Sequence, residues 1–88
     1  MINVETIDSR TFKVVVKAAR TTTHTVTVSP DYYQKLTGGR ASAEALVRKS
    51  FEFLLEREPN TSILGSFDLP VIGRYFPEYE STIKGMLE

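Results

Sequence analysis

At 88 residues, with 41% apolar and 25% charged side chains, the chain has the size and composition of one folded domain. It has no cysteine, which excludes a disulfide scaffold and any thiolate metal site, and its formal net charge of zero argues against a strongly nucleic-acid-binding domain. No apolar run approaches the roughly 20 residues that span a bilayer. The opening MINVETIDSRTFKVVV alternates rather than forming a charged-then-apolar leader, so the expectation is a soluble, cytosolic protein with no membrane partner.

A chain this short buries only roughly 60% of its unfolded surface, so a dimer interface would add to a thin margin. The charge is unevenly placed. Residues 1–30 carry Arg10, Lys13, Lys17 and Arg20 against Glu5 and Asp8, whereas residues 59–88 carry Arg74 and Lys84 against Asp68, Glu78, Glu80 and Glu88.

Ile2, Val4 and Thr6 share one parity before the polar break Asp8-Ser9-Arg10. Phe12, Val14, Val16 and Ala18 then alternate with Lys13, Val15 and Lys17, the period-two pattern of a half-buried strand. From Thr23 to Ser29, His24, Val26 and Val28 take one face while Thr23, Thr25 and Thr27 take the other. The β-branched content suits a pleated surface, and the spacing predicts a three-stranded antiparallel meander over residues 1–29.

Ser29-Pro30-Asp31 predicts a helix start, with serine to cap free amides, proline at the first helical position and aspartate at the positive dipole end. Thr37-Gly38-Gly39 stops that helix early. Ser42 then caps a longer one, in which Ala43, Leu46, Val47, Ser50, Phe51, Leu54 and Leu55 fall on one stripe widened by Phe53. Glu44, Arg48 and Glu52 are spaced to pair on its wet side, and Pro59-Asn60 ends it.

The remainder is punctuated by Gly65, Pro70, Gly73 and Pro77, which predicts short helical turns rather than strands. From Pro77 onward, Tyr79, Ile83, Met86 and Leu87 share a helical face. The expected organisation is therefore one α+β domain over residues 1–88. It has a meander (1–29), a helix-turn-helix unit (30–58) and a helical tail packing on the core (59–88).

Little in the sequence points to catalysis. His24, the sole histidine, sits on an apolar strand face, where it reads as a partly buried residue near a sheet edge, with no local partner for proton transfer. No nucleophile elbow surrounds any serine or threonine, and the carboxylates lie on helix faces where solvation explains them. With one histidine and no cysteine, a metal would need carboxylates alone, and no calcium-loop spacing occurs. The reading is a non-enzyme with no catalytic residues, metal or cofactor. Gly38-Gly39-Arg40 ahead of a helix is compatible both with anion binding and with simple chain reversal.

The stretch from His24 to Glu58 resembles the ribbon-helix-helix DNA-binding family. The resemblance is carried by Thr25-Val26-Thr27-Val28-Ser29-Pro30, then Gly39 and Ser42, then the helix AEALVRKSFEFLL. It implies a homodimeric repressor or antitoxin whose paired strands enter the major groove. Thr23, Thr25 and Thr27 would face bases, with Lys13 and Lys17 beside them. Gly39, Arg40, Ala41 and Ser42 would meet phosphate, and Val26, Val28, Leu46, Val47, Phe51 and Leu54 would form the dimer core. Since residues 11–18 can pair with residues 23–28 in one chain, the ribbon would use the other edge of the third strand. The alternative is a protein-interaction or dimerisation module of the same α+β fold without nucleic acid, its partner met by Phe67, Tyr75, Phe76 and Tyr79.

Overall fold

Alternation over residues 2–28 gives a sheet with one apolar face, and the helices of the second half cover that face. The computed structural model describes residues 1–87. Its elements are β1 (Ile2–Thr6), β2 (Thr11–Lys17), β3 (Thr21–Thr27), α1 (Pro30–Thr37), α2 (Ala43–Leu55), a single 3-10 turn (Asn60–Ser62), β4 (Ser66–Asp68), α3 (Val71–Tyr75) and α4 (Tyr79–Met86).

The first three strands form the expected antiparallel meander, with Val4 opposite Val14 and Val14 opposite His24. Phe12, Val14, Val16, His24 and Val26 are buried on one face, as the parity predicts. The sheet does not stop at three strands. β4 joins the outer side of β3 in parallel, giving the order β1-β2-β3-β4.

This corrects the three-stranded, all-antiparallel sheet and the reading of the tail as helical turns alone; the α+β class itself stands. The physical reason is that β3 without β4 would present a row of unpaired amides and carbonyls. Thr25 N–H donates to the Gly65 carbonyl at 2.8 Å and Leu69 N–H to that of Thr27 at 2.9 Å. Thr27 Oγ1 also donates to the Asp68 carboxylate.

Both central helices begin as their caps require. Ser29 Oγ accepts from Tyr32 N–H with Pro30 at the first turn of α1, and Ser42 Oγ accepts from Ala45 N–H at α2. α1 ends at Gly38, whose φ of 62° is left-handed. Along α2, Leu46, Val47, Ser50, Phe51, Phe53 and Leu54 are buried. Each large apolar side chain so placed contributes about 1.5–3 kcal/mol relative to exposure.

The wet side of α2 differs from the expected i,i+4 ladder. Lys49 pairs with Glu52 at 3.5 Å, whereas Arg48 turns to the sheet and donates from Nη1 to the Ile2 carbonyl at 2.7 Å. Met1 and Lys17 exchange backbone hydrogen bonds at 2.9 and 2.8 Å, so the odd residues of β1 face β2 and the even ones face outward. Arg48 thus occupies an outward carbonyl on the edge strand, which blunts that edge.

The tail completes the core. Leu69, Ile72, Tyr79 and Ile83 are all buried. Tyr79 packs edge-on against Phe53 with ring centroids 5.2 Å apart, and its hydroxyl lies 2.6 Å from Ser50 Oγ.

Candidate interaction surfaces

His24 is the sole histidine. It is fully buried in what is now an interior strand, not partly buried at an edge. Its ring lies 5.3 Å from that of Phe51. Nδ1 lies 2.7 Å from the Leu64 carbonyl and Nε2 lies 2.8 Å from Thr22 Oγ1. Since a carbonyl only accepts, Nδ1 is the donor to Leu64.

Asn60, which sequence reasoning passed over as a helix terminator, continues this network. Its Nδ2 donates to Thr22 Oγ1 at 2.9 Å and to the Arg20 carbonyl at 2.8 Å. Both ring nitrogens of His24 are therefore committed to structure. The shifted acids have equally local causes. The Arg10 amide holds the Asp8 carboxyl below its ordinary range, and the hydroxyl of Tyr32, then Lys35, does the same for Glu80.

The residues suggested for DNA contact separate into two groups. Lys13 lies opposite Thr25, Lys17 opposite Thr21, and Val15 opposite Thr23. Thr23, Thr25, Thr27, Lys13 and Lys17 consequently share the sheet face that no helix covers. The charge on that face is mixed, because Glu5 sits opposite Lys13 and Asp68 opposite Thr27.

Gly39, Arg40 and Ser42 belong instead to the turn between α1 and α2, in the layer across the sheet. Ser42 Oγ is already taken by the Ala45 amide. The ribbon geometry also meets an obstacle: β2 holds one edge of β3 along its length, and β4 holds the other edge at Thr25–Thr27. A second β3 cannot pair over Thr25–Thr27 while β4 is in place.

The proposed partner-facing aromatics divide as well. Tyr79 is wholly buried, which corrects its placement on a contact surface: the Ser50 hydroxyl and the Phe53 ring give it a polar and an apolar partner inside. Phe67, Tyr75 and Phe76 come together. They line an open groove of about 350 Å³ with Leu54 of α2, Glu58 three residues beyond that helix, Ile63 and Leu64 before β4, and Val71 and Ile72 of α3. Tyr75 is 68% exposed and Leu64 48% exposed, the two largest apolar exposures on this side.

Glu58 alone carries charge among the described residues of the groove. Leu64 and Glu58 were not singled out from the sequence, where neither stands in a periodic pattern. Among the described residues, no cluster of three or more histidines and carboxylates could hold a metal, and no helix is long and apolar enough to cross a membrane. Comparison with protein-family models, with curated proteins and with solved structures returns no match.

Proposed function

We propose that this protein is a non-catalytic protein-interaction module that takes a partner through the groove between the end of α2, β4 and α3. The observation that carries the reading is the pair Tyr75 and Leu64, exposed beside an apolar floor that includes Leu54, Ile63 and Ile72. Large apolar groups left accessible around a concavity are characteristic of contact sites, and tyrosine combines a broad apolar ring with a polar tip.

The test is selection of short random displayed peptides against the intact chain, followed by mapping of the enriched peptides by amide chemical shifts. Perturbations centred on Tyr75, Leu64 and Phe67, and loss of binding in Tyr75→Ser with unchanged folding, support the reading. Enriched peptides that map elsewhere, or that bind Tyr75→Ser as well as the parent, overturn it.

A second reading is duplex DNA binding by a repressor- or antitoxin-like dimer, favoured by the common face of Thr23, Thr25, Thr27, Lys13 and Lys17. Because β4 occupies the outer edge of β3 at Thr25–Thr27, such a dimer would assemble through another surface and approach DNA with the sheet face rather than a two-strand ribbon. Affinity that falls with salt and is reduced in Lys13→Gln/Lys17→Gln supports it. No binding at low salt, or a strict monomer by sedimentation, sinks it.

A further inference from the structure

We infer that the groove selects an apolar segment of another protein that carries one lysine or arginine, held by Glu58. This rests on the groove being the interaction surface.

α2 ends with no basic residue in its last turn, although cations are favoured at that end of the dipole. Arg57, the nearest cation in sequence, is already committed. Its Nη1 donates to the Phe53 carbonyl at 3.0 Å, its guanidinium stacks 3.6 Å from the Phe53 ring, and it pairs with Glu78 at 3.2 Å and Glu56 at 3.8 Å. Glu58, one residue on, has no ion-pair partner among the described residues.

Glu58 is therefore a half-buried acidic residue beside the negative end of a helix, on the border between this otherwise uncharged groove and a neighbouring concavity lined by Arg20, with which it forms no ion pair. Partial burial lowers the local dielectric, so an incoming cation gains more there than at an open surface. An apolar segment without a cation leaves the carboxylate partly desolvated and unpaired. A segment with an acidic residue adds like-charge repulsion. The groove thus discriminates by charge as well as by shape.

The experiment uses the enriched displayed peptides, synthesised with and without their basic residue, and titrated against the full chain and its Glu58→Gln, Glu58→Lys and Tyr75→Ser variants. Enriched sequences should combine adjacent large apolar residues with a lysine or arginine. Glu58→Lys should weaken them about tenfold, and peptides with that cation replaced by glutamate should regain affinity for Glu58→Lys.

Peptides that lack a basic residue, or that bind Glu58→Lys unchanged while losing Tyr75→Ser, overturn the charge selection and leave the groove as the contact surface. Indifference to Tyr75→Ser overturns the groove itself, as does a failure to enrich any peptide. Self-association of the chain through the groove, seen as concentration-dependent shifts without peptide, also overturns the inference, because the occupant would then be a second copy.

Discussion

The imidazole Nδ1 of His24 lies 2.7 Å from the carbonyl oxygen of Leu64, joining the middle of β3 to a residue 40 positions later. This contact anchors the segment that leads into β4, and with it one rim of the groove. His24→Phe keeps a ring against Phe51 but strands the Leu64 carbonyl and frees Thr22 Oγ1. The expected cost is about 1–3 kcal/mol by urea unfolding. Amide exchange should accelerate at Thr25, whose N–H bonds to Gly65. Equal stability would show that the link contributes nothing.

Ser50 and Tyr79 predict an asymmetric double-mutant cycle. Ser50 Oγ donates to the Leu46 carbonyl at 2.7 Å, so the Tyr79 phenol is the donor in their 2.6 Å contact. Tyr79→Phe leaves Ser50 bonded to Leu46 and should cost about 0.5–1.5 kcal/mol. Ser50→Ala removes the acceptor of a buried hydroxyl and should cost more, about 1–3 kcal/mol. The two effects should not add. Burial also pushes the Tyr79 phenol well above its ordinary range, so its absorbance should not titrate before the chain unfolds in alkali.

Glu80 sets a pH dependence. The Tyr32 hydroxyl at 2.9 Å, followed by Lys35 at 3.1 Å, holds its carboxyl below the ordinary value of 4.5. A depressed carboxylate contributes stability that is present above its unfolded value and is lost as pH falls through the folded one. Unfolding midpoints should thus decline from about pH 4.5 downward, and Glu80→Gln should flatten part of that decline. Tyr32→Phe, which removes the largest cause, should raise the Glu80 carboxyl titration followed by NMR. An unchanged acid limb in Glu80→Gln would assign the decline to other groups.

Gly38 tests the turn between α1 and α2. Its φ is +62°, and a Cβ there would meet nothing within 4 Å, so substitution is penalised by backbone conformation alone. Gly38→Ala should cost about 1 kcal/mol, and Gly38→Asn less, because asparagine tolerates the left-handed region. Thermal unfolding distinguishes them, and equal stability of Ala and Asn would contradict a purely conformational cost.

Where neighbours in sequence settle the outcome, the chain is legible on its own. The alternation from Phe12 to Val16 and from His24 to Val28 determines which sheet face is buried, because the side-chain period of a strand is two. Ser29, Pro30 and Ser42 determine where the helices begin, and the stripe from Leu46 to Leu54 determines which side of α2 faces inward. These are local consequences of geometry that any packing of the chain would respect.

Tertiary contacts decided the rest. Ser66-Phe67-Asp68 is too short for periodicity to mark it as a strand; it becomes one because β3 offers an open row of hydrogen-bonding groups. That pairing makes β3 interior at Thr25–Thr27, while Phe51 of α2 and the Leu64 carbonyl, both distant in sequence, enclose His24. Tyr75 and Tyr79 stand four residues apart in the same aromatic tail, yet one is exposed and the other buried. Ser50 and Phe53, from a distant helix, provide the pocket that takes Tyr79, whereas among the described residues nothing comparable covers Tyr75. Arg48 was spaced for carboxylates on its own helix and instead found the outward carbonyl of Ile2. Each of these outcomes depends on which non-local partner reaches an unsatisfied group, and that is set by the packing of elements rather than by their order along the chain.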